Sequence, residues 1–104
     1  MKLRVMKNFV KIGTVLKKSL KKFRLEKGIK QCRILDIWDK VVGEQIAAVT
    51  RPGYIKGKTL YIFVRDSIWL QELKFLERMI IEKLNNKVGG KIIENIYFKI
   101  DTER

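Results

Sequence analysis

Histidine is absent from this chain, and cysteine and proline occur once each, as Cys32 and Pro52. The first absence removes imidazole general bases and histidine metal ligands. A single thiol can form neither an internal disulfide nor a cysteine-based zinc site, which fits a reducing, cytoplasmic setting. Cys32 itself reads as a small packed residue on an amphipathic helix. Long apolar runs are missing too. Lys7, Lys11 and Lys17-Lys18 interrupt the N-terminal apolar residues before a signal-like core forms, and nothing approaches the ~20 residues of a membrane span. Carboxylates are not arranged for chemistry: Asp36 and Asp39 share a helix face with no base or metal partner. Ser67 likewise has no base and suits a helix cap. No enzyme activity, metal, cofactor, small-molecule substrate or membrane association is expected.

Acids are scarcest where bases are densest. Residues 1–33 hold twelve Lys or Arg against one acid, Glu26, whereas residues 34–104 hold twelve basic and ten acidic side chains. The net charge of +13 is thus concentrated in the first third. A near-neutral domain preceded by a basic helix needs a polyanion or an acidic partner, and nucleic acid is the commonest polyanion. The nucleic-acid-binding candidates are Lys7, Lys11, Lys17, Lys18, Lys21, Lys22, Arg24, Lys27 and Lys30.

The 104 residues, 46% apolar, suffice for one domain with a modest core. A first helix is predicted from Asn8 to Lys27, stopped by Gly28. Val5, Phe9, Ile12, Leu16, Leu20 and Phe23 form one stripe that would close the core, and Lys7, Lys11, Lys18, Lys21 and Lys22 lie opposite. On this reading residues 1–28 are a basic amphipathic helix packed on a domain of residues 29–104. A second helix, Lys30 to Val42, carries the stripe Ile34, Leu35, Trp38, Val41 and Val42, with Trp38 as core anchor. A short turn over Glu44–Val49 ends at Thr50-Arg51-Pro52. Two strands follow, Gly53–Lys56 and Thr59–Arg65, joined at Gly57-Lys58. Asp66 or Ser67 caps a helix from Ile68 to Lys87, with Trp69, Leu73, Leu76, Ile80 and Leu84 inward and Glu72, Glu77 and Glu82 pairing with Lys74, Arg78 and Lys83. A last strand spans Ile92–Ile100. The order α-α-β-β-α-β gives an α+β two-layer sandwich with helices on one face of a three-stranded sheet.

One spaced string covers much of the chain: Trp38-Asp39-Lys40-Val41-Val42-Gly43, Ile46-Ala47-Ala48-Val49-Thr50-Arg51-Pro52, then Gly57, Leu60 and Val64. Ser67-Ile68-Trp69-Leu70-Gln71-Glu72-Leu73, Leu84-Asn85 and Gly89 complete the string. It resembles the DciA-like family of bacterial proteins, long catalogued as a domain of unknown function. The resemblance implies a KH-like domain of the second topology and a role in loading or operating the replicative DNA helicase, making that helicase and DNA the implied partners. A KH domain clamps the nucleic-acid backbone with a Gly-x-x-Gly loop, and no pair of glycines here has that spacing. Members of that family often carry a disordered basic tail after the domain; in this chain the basic excess lies before it.

The sheet offers a second candidate surface. With Leu60, Ile62, Val64, Ile96, Phe98 and Ile100 under the helices, Tyr61, Phe63, Arg65, Tyr97 and Lys99 face outward. Together with Trp69 they are the partner-binding candidates. Rings interleaved with cations suit base stacking, contact with a protein partner or second copy, or cover by the first helix, and the sequence leaves the three open. Three functions remain: a replication accessory that binds the helicase and DNA, a general RNA- or DNA-binding protein, and an adaptor docking on an acidic protein.

Overall fold

A single helix, α1, runs from Lys2 to Val42 without interruption. The computed structural model describes residues 2–102, with side chains from Ser19 onward. Two separate helices were expected, broken at Gly28. Gly28 instead keeps helical backbone: the glycines with positive φ are Gly43, Gly57 and Gly89. A glycine inside a helix costs about 1 kcal/mol relative to alanine, which is too little to end a helix whose neighbours all favour it. The expected cap at Asn8 falls inside α1.

After Gly43 comes one short turn, α2 (Glu44–Ala47), then strands β1 (Thr50–Lys56) and β2 (Thr59–Val64). Helix α3 spans Ser67–Val88 and strand β3 spans Asn95–Ile100. The sheet order is β1-β2-β3, with β1 antiparallel and β3 parallel to the central β2. Helices cover one face, so the α+β two-layer arrangement with a three-stranded sheet stands as read from the sequence.

The core forms where the C-terminal half of α1 and all of α3 meet the sheet. Ile34 and Trp38 of α1, Leu60, Ile62 and Val64 of β2, and Leu73 and Leu84 of α3 are fully buried. Ile80, Val88, Ile92, Ile93, Ile96 and Phe98 complete the cluster. Ile100, expected beneath the helices, is exposed at the end of β3. Among the described residues Thr50 is the one buried polar side chain, and both its hydrogen-bonding roles are filled. Its hydroxyl accepts from the Trp38 indole N–H at 2.9 Å and donates to the Ile46 carbonyl at 2.8 Å.

The ends of α3 are closed in two ways. At the start, the Asp66 carboxylate accepts from the Trp69 amide at 2.9 Å, which satisfies a donor the helix cannot. At the end, Gly89 adopts the left-handed conformation (φ 77, ψ 58) and its amide donates to the Asn85 carbonyl at 2.8 Å. Lys30 of α1 donates to the Gly89 carbonyl at 2.9 Å, a cation placed at the negative end of the α3 dipole.

The last strand starts three residues later than expected because Asn85 captures the chain before it. Its side-chain oxygen accepts from the amides of Ile92 and Ile93, each at 3.1 Å, and its Nδ2 donates to the Ile93 carbonyl at 2.8 Å. Glu77, expected in a pair along the helix, accepts from the Ile96 amide of edge strand β3 at 2.9 Å. Among the described residues no ion pair lies within α3.

Candidate nucleic-acid interface

The described part of α1 before Lys30 projects past the domain. Leu20 lies five turns from Trp38 and Phe23 three turns from Ile34, so both share the core-facing side. They were expected to close the core, yet they are 54% and 63% exposed, because the sheet and α3 end before reaching them. The last tethers are Lys30 to Gly89 and Gln31, whose Nε2 donates to the Gly57 carbonyl at 3.3 Å. Leu25 and Ile29 are exposed as well, and so is Cys32, contrary to its expected packing.

Cations surround this arm. Lys21, Lys22 and Arg24 are exposed and Lys27 is partly so. Successive residues turn by about 100°, so Arg24 and Lys27 fall on the same side as Leu20, while Lys21 and Lys22 fall away from it. Lys30 is directed to the end of α3. The side chains of Lys7, Lys11, Lys17 and Lys18 lie outside the described residues. Where α1 meets α3, Lys40, Lys83 and Lys87 rim a groove floored by Ile37 and Val41.

On the sheet, the face away from the helices carries two cross-strand rows. One is Tyr54–Tyr61–Tyr97, aligned by the register of all three strands. The Tyr54 and Tyr61 rings stack with centroids 4.6 Å apart and an interplanar angle of 17°; Tyr61 and Tyr97 are 5.6 Å apart and tilted by 48°. The other row is Arg51–Phe63–Lys99, in which the Arg51 guanidinium sits 4.7 Å from the Phe63 ring centroid. Arg51 also pairs with Asp101 at 3.4 Å, and Arg65 with Asp66 at 3.0 Å.

A β-bulge makes these rows possible. Arg51 and Tyr54 are three apart and would point to opposite faces of a regular strand. The register shifts between Pro52 and Tyr54, so Gly53 is the extra residue and both side chains share the open face. Glycine is needed because a Cβ there would stand 2.7 Å from Phe63 Cε2 and 3.0 Å from the Tyr61 carbonyl oxygen.

Of the sequence candidates, Tyr61, Phe63, Tyr97 and Lys99 share this open face, while Arg65 lies just past β2, exposed and paired with Asp66. Trp69 is not on it: it is half-buried against the core from the helix side. Arg51 and Tyr54 escaped the sequence reading, although glycine after proline inside a strand is a recognisable bulge mark.

The geometry defines a small α+β domain of KH-like order with an aromatic and cationic sheet face and a basic helical arm. The family model for "Dna[CI] antecedent, DciA" matches residues 11–98. The chain belongs to the DciA family. It is 32% identical over 85 residues to a UPF0232 protein of Corynebacterium glutamicum (strain R), covering 82% of this chain and 48% of that protein. To a UPF0232 protein of Rhodococcus jostii (strain RHA1) it is 27% identical over 63 residues, 61% of this chain and 34% of the relative. The chain therefore spans half or less of the curated relatives it matches. Among the described residues no helix is long and apolar enough to cross a membrane, and no cluster of potential metal ligands occurs.

Proposed function

We propose that this protein is a non-enzymatic, cytoplasmic accessory of DNA replication that binds nucleic acid and the replicative helicase and assists the helicase onto DNA. Membership of the DciA family carries the reading, and the distribution of charge supports it. An arm with Lys21, Lys22, Arg24 and Lys27 exposed or partly exposed, and Glu26 its one acid, suits phosphate contact. The arm holds no Asn or Gln between Ser19 and Lys30, and these are the side chains that read adenine in pairs of hydrogen bonds. Paired readout of adenine by the arm is therefore not expected, and its cations serve phosphate contact first. Affinity would lie near 10⁻⁴ to 10⁻⁶ M at physiological salt, and a simultaneous helicase contact would raise it by tethering.

The test is helicase loading onto single-stranded DNA with the protein present and absent, beside direct binding of the two proteins. Faster loading together with a direct complex supports the reading. If the helicase neither binds the protein nor loads faster, the replication role is wrong, and a general nucleic-acid binder takes its place.

A further inference from the structure

We infer that the open sheet face is a stacking surface for single-stranded nucleic acid, with Tyr54 and Tyr97 as the rings on which bases lie and Lys56, Lys99 and Arg51 as their phosphate neighbours. This rests on the nucleic-acid part of the proposed function and gives it a site distinct from the basic arm.

Three observations carry it. The tyrosine row ends on both edge strands, so neither end ring has a cross-strand neighbour on its outer side. Tyr54 is 52% and Tyr97 55% exposed, whereas Tyr61 between them is held by contacts on both sides. A ring fixed by a neighbour and bare on its other side is a pre-ordered platform for a planar base.

The composition of the face points to the ligand. Its positions along β1 and β3 are Arg51, Tyr54, Lys56, Asn95, Tyr97 and Lys99; none is aliphatic and none is acidic. Protein-binding patches share the enrichment in Tyr, Phe and Arg but are depleted in lysine. Here lysines flank the rings instead. The carboxylates at its margins, Asp101 and Glu94, are paired with Arg51 and Lys58, so the face presents net positive charge beside π-surface. Bare rings with cations alongside match a strand whose bases are unpaired and whose phosphates follow the same line. Duplex DNA hides its base faces and cannot use the rings.

The experiment compares three labelled ligands by fluorescence anisotropy with the full chain: an oligothymidylate of about twelve nucleotides, an abasic strand of equal length, and a duplex. Wild type is expected to prefer the thymidylate to the abasic strand by roughly a hundredfold, about tenfold for each of the two stacked bases. The Tyr54→Ala/Tyr97→Ala double variant should remove that preference while leaving abasic and duplex binding and the salt slope unchanged. Tyr54→Phe/Tyr97→Phe should retain the preference, which separates lost stacking from lost folding. Equal wild-type affinity for thymidylate and abasic strand overturns the inference, as does an alanine variant that keeps its preference; neither touches the arm. A double variant that loses helicase binding but not thymidylate binding makes the face a protein site and also overturns it. Wild type binding none of the three ligands would overturn the nucleic-acid reading itself.

Discussion

The indole N–H of Trp38 donates to the Thr50 hydroxyl at 2.9 Å in the interior, joining the last turns of α1 to the first residue of β1. Because the Thr50 hydroxyl donates its own hydrogen bond to the Ile46 carbonyl, it connects α1, α2 and the sheet. Thr50→Val keeps the shape but strands a buried donor and a carbonyl. Its expected cost is about 1–3 kcal/mol by urea unfolding. Trp38→Ala should cost about 3–5 kcal/mol, and the double variant less than the sum. Strict additivity would show that the two residues act independently.

Gly53→Ala tests the bulge. The added carbon meets a ring that can turn and a strand carbonyl that cannot, so the sheet itself must shift. Destabilisation of about 1–3 kcal/mol is expected. An unchanged unfolding midpoint would mean that the close approach of Phe63 and Tyr61 is not required.

Asp66 gives a pH dependence. Its carboxyl is held below the ordinary 3.8, first by the Trp69 amide it caps and then by the hydrogen bond from Arg65. A folded-state pKa below the unfolded value contributes stability above the unfolded value. That contribution is lost as pH falls through the folded pKa. Wild type should therefore lose more stability between neutral pH and about pH 3 than Asp66→Asn does. Parallel losses in the two proteins would remove the capping role.

For the arm, changing Lys21, Lys22, Arg24 and Lys27 to Gln should flatten the logarithmic salt dependence of DNA binding. For each phosphate no longer neutralised, the slope should fall by about 0.7 on single strands and about 0.9 on duplex. Lys30→Gln should act instead on stability, through the Gly89 carbonyl it serves. A salt slope unchanged in the fourfold variant would mark those cations as solvent-facing only.

Periodicity carried most of the fold. The apolar stripes of α3 and of the second half of α1 face the core, with Ile34, Trp38, Leu73, Ile80 and Leu84 buried and Leu35, Val41, Val42, Trp69 and Leu76 half-buried at its edge. Alternation in β2 separates buried Leu60, Ile62 and Val64 from the face bearing Tyr61 and Phe63. What escaped was decided at longer range. Gly28 looked like a stop because its helical tolerance depends on whether a left-handed turn is wanted there, and none is. The stripe through Leu20 and Phe23 looked like core because periodicity gives direction, not how far the opposing layer extends. Arg51 and Tyr54 were missed because a bulge reverses the parity on which a face is assigned. Asn85 and Glu77 bind backbone amides of the segment after α3, interactions invisible until that segment is placed.

The parallel pairing of β3 with β2 sets an order of assembly. Tyr54 and Tyr61 meet through a hairpin whose turn is Gly57-Lys58, a local event on the microsecond scale. Tyr97 reaches the same row only after α3 has crossed over, with a greater loop-closure entropy to overcome. The three-ring row is thus expected to form first at one edge and last at the other. In stopped-flow kinetics, a change in the hairpin should slow refolding, while Tyr97→Ala should mainly hasten unfolding. The edge carrying Tyr97 is also the one expected to open first when the native state breathes, so hydrogen exchange should report weaker amide protection along β3 than in the hairpin.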